Sequence, residues 1–135
     1  MSPDELQRYL ESFPEKLEAE LASVLQQQAQ RLSDAQRSEL QSQLQAPAES
    51  GDLEASLRVE TRDGPLDVHV VAGGDLTMTE VREGSGEDWD RALGFEFGTS
   101  HQPARPFFWN TYRALKPSID DEINKAVERV LKNGG

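Results

Sequence analysis

Cysteine is absent from the 135-residue chain, which excludes a disulfide framework and thiolate chemistry. Long apolar runs are absent too: nothing approaches the roughly 20 residues that a membrane-spanning helix needs. The opening residues, MSPDELQRYL, lack the basic start and apolar centre of a signal peptide, so a protein made in the cytoplasm is the default expectation. Positive charge is scarce, with 14 basic against 25 acidic residues and a formal net charge of −11. Residues 1–45 hold four basic and eight acidic side chains (−4), residues 46–104 four and thirteen (−9), and residues 105–135 six and four (+2). No segment is the basic stripe that grips phosphates, which argues against tight direct nucleic-acid binding and against an anionic membrane surface. The simplest consequence of the acidity is solubility.

What is present fits one domain with a modest core, since 36% of the residues are hydrophobic. The first third reads as helix. Ser2-Pro3-Asp4-Glu5 combines an N-cap, a proline at the first helical position and an acid three residues after the cap. Leu6, Leu10 and Phe13 lead into Leu17, Leu21, Val24, Leu25 and Leu32, one apolar stripe at helical spacing. Pro14 predicts a kink or restart, and Ser33-Asp34-Ala35-Gln36 is a further possible start. Unbroken from Phe13 to Gln45, the helix would be about 50 Å long, more than so small a domain covers. Part of it is therefore expected to project or to lie against a neighbouring subunit. The glutamines at 26, 27, 28 and 30 read as a solvated face.

Ala46 to Gly51 ends the helix. Period-two alternation through Leu53, Ala55, Leu57, Val59 and Thr61, a turn at Asp63-Gly64-Pro65, and alternation through Leu66, Val68, Val70 and Ala72 predict a hairpin. A shorter strand is expected over 76–82, a mobile loop over 83–88, and a last strand carrying Leu93, Phe95 and Phe97 on one face. A helical piece from Phe107 is expected to stop near Lys116, before Pro117. A second helix restarts at Ser118 with Ile119, Ile123, Val127 and Val130 as its stripe. The expected class is α+β: a helical arm over 1–45, then over 46–135 a small antiparallel sheet of about four strands, with C-terminal helices packed on one face.

Catalytic chemistry finds little support in these residues. His69, between Val68 and Val70, falls on the polar side of a strand. His101 lies in a loop near Ser100, with no nucleophile elbow and no orienting acid. No spaced His/Asp/Glu set suggests a metal, and adjacent carboxylates such as Glu87 and Asp88 are expected by chance in so acidic a chain. Gly73-Gly74 and Gly84-Ser85-Gly86 lack the helix and lysine of a phosphate-binding loop. No cofactor is expected.

Most of the aromatic residues crowd into FEFGTSHQPARPFFW, residues 95–109. Gly98 suits a backbone turn, and Pro103 and Pro106 hold Ala104 and Arg105 in a stiff, extended loop. Arg105 is expected to fasten that loop to the sheet, by bonding loop carbonyls or pairing with Glu96, in preference to binding a ligand. Successive helix residues point about 100° apart, so Phe107, Phe108 and Trp109 on one helix cannot all face a thin core. Phe108, in register with Tyr112 and Leu115, is the inward candidate, and with Phe95 and Phe97 it is expected to fasten the last strand to the C-terminal helix. Phe107 and Trp109 are the candidate interface, because exposed large aromatics beside a rigid loop mark protein contacts.

EFGTSHQPARPFF resembles the signature of the gp-ten-like family of tailed bacteriophages, of the HK-ninety-seven type. That pattern is an aromatic or aliphatic residue, then Glu-Phe-Gly-Thr, a short variable piece, and Pro-Ala-Arg-Pro-Phe. Glu96, Phe97, Gly98, Thr99, Pro103, Ala104, Arg105, Pro106 and Phe107 match it. APAESGDLEASLRV is similar to a second family pattern through Ala46, Pro47, Gly51, Leu53, Ser56 and Leu57, with Ser50 in place of the usual threonine. Asn110 stands where the family commonly has proline. The resemblance covers roughly residues 46–116. It implies a non-enzymatic neck, head–tail joining or tail-completion protein of a phage or prophage particle. Such a protein acts as an oligomeric ring at the head–tail junction. Its partners would be further copies of itself, other neck and tail proteins, and DNA only as a passing, weakly contacted duplex. An acidic lumen would repel phosphates and let the duplex slide. Two other classes stay open: a small acidic monomeric binding or regulatory module that mimics nucleic acid, recognisable by a double row of carboxylates, and an enzyme, which needs a pocket of convergent polar groups near His101 and Arg105.

Overall fold

A computed structural model describes residues 2–44, 51–80, 88–100 and 102–133. The expected stop at Ala46–Ser50, the loop over 83–87 and His101 lie outside the described residues. The chain is α+β, with helices supplying most of the framework.

Helix α1 runs unbroken from Pro3 to Ser42, a rod about 60 Å long. Its start is the expected capping box: Glu5 N donates to Ser2 Oγ at 3.2 Å and Ser2 N donates to Glu5 Oε2 at 3.1 Å. The helix does not restart at Pro14, and of continuation or restart at Ser33 it continues, since both positions lie inside α1. Proline costs a helix one internal hydrogen bond and a steric clash. Here the thirty-nine other residues and a packed middle section hold the helix through it. Ser33 is buried in that section instead of capping.

The segment after residue 50 departs from the period-two reading. Gly51–Ser56 is a short helix, α2, and only Arg58–Thr61 is strand, β1. Leu53, Ser56 and Leu57 are buried, a three-and-four spacing that alternation also satisfied at Leu53 and Leu57. The expected hairpin then forms: β1 pairs antiparallel with β2, Val68–Val71, with Val59 opposite Val70 and Glu60 opposite His69. A single 3₁₀ turn, Asp75–Thr77, leads into β3, Met78–Glu80, which pairs antiparallel with β4, Asp88–Asp90. The described strands therefore make two separate two-stranded ladders, where one sheet of about four was expected.

The expected last strand is a helix. Arg91–Phe97 forms α3, capped at its start by Asp90, whose Oδ1 accepts from Ala92 N at 2.9 Å. Helix α4 then runs from Trp109 to Asn133 without a break, passing through Pro117 where a stop was expected. One residue beyond the proline, Ser118 Oγ accepts from Arg31 Nη1 at 2.9 Å, so α1 holds α4 in line there.

Helices α1 and α4 are antiparallel, as three cross-links in opposite sequence order establish. Gln36 Nε2 donates to Phe108 O at 3.2 Å, Arg31 reaches Ser118, and Arg129 Nη2 donates to Glu20 Oε1 at 2.8 Å. Val24, Ala29 and Leu32 of α1 and Ala126 and Val130 of α4 are buried. The main core gathers at the other end, where Leu40, Leu53, Leu57, Ala92, Phe95 and Phe107 pack together. Past Arg129 only four residues of α4 remain, so α1 continues for about 20 Å beyond the end of its partner. The described residues of that stretch as far as Glu11 are exposed, in agreement with a projecting arm.

Phe107 is 1% exposed within the core and Trp109 is 44% exposed, which sets opposite outcomes for the two rings. Phe107→Ala leaves a cavity and is expected to cost about 3–5 kcal/mol in chemical denaturation. Trp109→Ala is expected to cost well under half of that in the same measurement.

Candidate functional site

The signature stretch is the connection between α3 and α4, and it is interlocked from both sides. Helix α3 ends at Gly98, whose φ of +80° suits glycine and whose N–H donates to Gly94 O at 2.9 Å. A Cβ at Gly98 would lie 2.8 Å from Ala104 N, so the chain closes on itself here only without a side chain. Thr99 N donates to Gln102 O at 2.9 Å and Gln102 N to Thr99 Oγ1 at 3.2 Å, which shapes the turn. Pro103 and Ala104 are exposed as they lead out of it.

Glu96 carries the connection's central interaction. It is buried, and its Oε2 accepts from the backbone N–H groups of Phe107 and Phe108, both at 2.9 Å. Its Oε1 accepts from Trp109 N at 2.9 Å. A carboxylate withdrawn from water needs this many donors. It also lies at the positive end of the α4 dipole. Glu96 is thus the N-terminal cap of α4, delivered from α3.

Arg105 does fasten the loop, but to α1. Its Nη1 donates to Gln43 O at 3.3 Å and its Nη2 to Gln102 Oε1 at 3.4 Å. Its guanidinium carbon stands 4.2 Å from the centre of the Phe95 ring, and Arg105 N donates to Phe95 O at 2.7 Å. Gln43 returns the contact by donating Nε2 to Pro106 O. The end of α1, α3 and the loop are thereby tied in one circuit.

The aromatic assignments change accordingly. Phe107 and Phe108 precede the helix, so the 100° rule does not govern them. Phe107, a candidate interface residue, is the buried one, and Phe108, the inward candidate, is half-buried. Phe107, Phe108, Trp109 and Tyr112 form a chain of edge-to-face rings with centroid separations of 6.3, 5.1 and 5.9 Å. This geometry holds the exposed Trp109 in place.

Helical periodicity also re-sorts α3. Ala92, Phe95 and Glu96 face inward, while Leu93 and Phe97, one turn apart, are 49% and 65% exposed. Leu93, Phe97 and Trp109 rim a shallow pocket of about 130 Å³, completed by Ala72, Ala92, Phe107 and Phe108. Its lining is apolar except for Glu96, whose carboxylate is already committed to α4. The site can receive an apolar side chain, and its described lining residues include no nucleophile or proton-transfer pair.

A second hub escaped the sequence reading. Asp90 accepts from Gly74 N at 2.8 Å, from Ala92 N and from Thr77 Oγ1. Gly73, at φ +89°, comes so close to this carboxylate that a Cβ would collide with it. Gly73 N donates to Ser56 Oγ at 2.8 Å, so Ser56 joins α2 to the end of β2. Sequence signals existed for both: an aspartate immediately before a helix, and paired glycines after a strand. His69 Nε2 lies 2.7 Å from Asp67 Oδ1 on the partly exposed hairpin, consistent with a polar strand position.

Among the described residues, no group of three or more His, Asp or Glu is placed to hold a metal ion. No described helix is long and apolar enough to cross a membrane. Comparison with protein-family models, with curated proteins and with solved structures finds no match to this chain.

Burial acts to raise the Asp90 carboxyl, but the hydrogen bonds from Thr77, Ala92 and Gly74, helped by Arg91, outweigh it and hold it below the ordinary aspartate value. Ionised Asp90 therefore stabilises the fold above the unfolded aspartate pKa, near 3.9, and that contribution disappears as pH falls through the lower folded value. Asp90→Asn is expected to lower the thermal midpoint at neutral pH and to reduce its decline below about pH 4. An unchanged acid limb in melting curves would show that other carboxylates dominate there. For Glu96→Ala, the loss of a cap on three donors is expected to cost on the order of 2–4 kcal/mol by denaturant titration.

Proposed function

We propose that this chain is a non-enzymatic structural component of a tailed phage or prophage particle. It acts at the head–tail junction as an oligomeric ring that joins neck and tail proteins. The observation that carries the reading is the fate of the signature residues. Glu96, Gly98, Thr99, Arg105, Pro106 and Phe107 are all engaged in building one rigid connection. The large side chains left facing outward there are Phe97 and Trp109. A stiff platform that presents aromatic anchors suits protein contact, where binding energy concentrates on such residues.

The charge distribution is compatible with that role. The −9 balance of residues 46–104 gives a surface that repels a duplex and lets it pass. The proposed location is the virion junction, after synthesis in the bacterial host cytoplasm.

The test is genetic and biochemical. In a phage or prophage that encodes the chain, portal, capsid or major tail genes are expected within a few genes. Disrupting its gene is expected to leave DNA-filled heads and separate tails, which join when purified protein is added to the lysate. Trp109→Ala is expected to keep the fold yet join at least tenfold less efficiently, the scale of losing one anchor. Normal particles from the disrupted strain would overturn the reading.

A further inference from the structure

We propose that the N-terminal arm of one copy docks its Leu6 and Leu10 into the Leu93–Phe97–Trp109 pocket of the next copy. The inference deepens the ring reading and rests on it only for closure of the chain of contacts into a ring.

Three observations on different parts of the molecule agree. The first is an unmatched apolar stripe. Leu6 and Leu10 stand one turn apart on the part of α1 that outruns α4, and they are 47% and 60% exposed. The second is a receptor of suitable size. The pocket measures about 130 Å³, close to the roughly 150 Å³ of an apolar cavity that accepts benzene. It therefore has room for one aliphatic side chain, with Phe97 and Trp109 flanking a second. The third is placement. The pocket lies at the first residues of α4 and the arm beyond its last, and α4 has 25 residues, about 37 Å. An arm on a rigid helix cannot turn back over that distance to its own pocket. Two complementary surfaces at opposite ends of one molecule give a head-to-tail contact, which propagates and closes as a ring when the rotation permits.

The pocket's lining comes largely from the −9 segment of residues 46–104, so an acidic arm depends on a cation beside it. The arm carries Asp4, Glu5, Glu11 and Glu15 against Arg8 and Lys16. Arg113 lies one turn from Trp109 on α4, is exposed, and donates to the neutral Asn110 side chain. An acidic arm laid across the pocket brings its carboxylates toward this guanidinium.

The experiment measures the molar mass of the full chain by light scattering over a range up to high micromolar concentration. It compares the wild type with an arm variant, Leu6→Glu with Leu10→Glu, and a pocket variant, Phe97→Glu. All three substituted positions are exposed, and circular dichroism checks that each variant keeps its fold. The wild type is expected to form species larger than a dimer as concentration rises, while each variant alone stays monomeric. Mixed together, the variants are expected to form a discrete one-to-one complex, because one retains only the pocket and the other only the arm. A wild-type chain that stays monomeric, variants that still assemble, or a mixture that does not pair would each overturn the proposal. The lysate joining assay separates the two readings. Joining by a chain that never uses the arm leaves the neck function standing and removes this contact. Arm-dependent assembly with no joining activity does the reverse.

Discussion

The carboxylate of Glu96 is the point on which the rest of the structure depends. It leaves water to accept three backbone donors at the head of a 25-residue helix. A buried charge is tolerable only with that degree of satisfaction, so its position is tightly determined. Fixing it sets the angle between α3 and α4. It also seats Phe107 in the core beside Leu40 and Phe95, and α1 follows because its own last turns close the same core. Arg105 and Gln43 then tie the end of α1 to the loop from outside. The connection is a closed circuit of short interactions, and the long helices are levers set by it.

That arrangement explains why a motif rich in polar and special residues need not be a catalytic one. Glycine at Gly98 serves a left-handed backbone and a close chain approach. The prolines restrict the loop, the arginine stacks on an aromatic face, and the glutamate caps a helix. Each residue type has a structural use that consumes its reactive groups. Phe97 and Trp109 stay turned outward, and with the exposed Leu93 they rim an apolar pocket. Such residues are costly to leave in water, which is the physical ground for giving them a partner.

Local signals read well where they were short-ranged and unambiguous. The Ser2–Glu5 capping box, the β1–β2 hairpin with its Asp63-Gly64-Pro65 turn, the excess length of α1 and the outward Trp109 were all legible. The two segments misassigned as strand share one cause. Over six or seven residues, positions i and i+4 share a face in a strand and in a helix alike. Leu93, Phe95 and Phe97 alternate like a strand, yet Asp90 at one end and Gly98 at the other cap a helix. Leu53 and Leu57 were misread in the same way. The capping residues held the answer, because they act on backbone geometry and not on side-chain pattern. Glu96 illustrates a different limit. Its three partners lie 11 to 13 residues away, and no spacing rule finds a cap delivered from another helix.

The proline positions show how tertiary packing overrides local preference, and with what consequence. Pro14 and Pro117 each sit inside a continuous helix. Pro117 is held in line by the neighbouring contact of Ser118 with Arg31 on α1. Pro14 lies at the margin of the packed region, where α1 begins to run past α4. The N-terminal turns thus continue as helix from a capped start, with little of their own fold beneath them. A helix of that kind in water draws its stability from packing of its apolar face. Leu6 and Leu10 stay about half exposed, while an apolar pocket of about one side chain's size lies at the far end of the same molecule. The length of α1 is thus hard to explain from one copy alone, and it becomes economical once a second copy covers the arm.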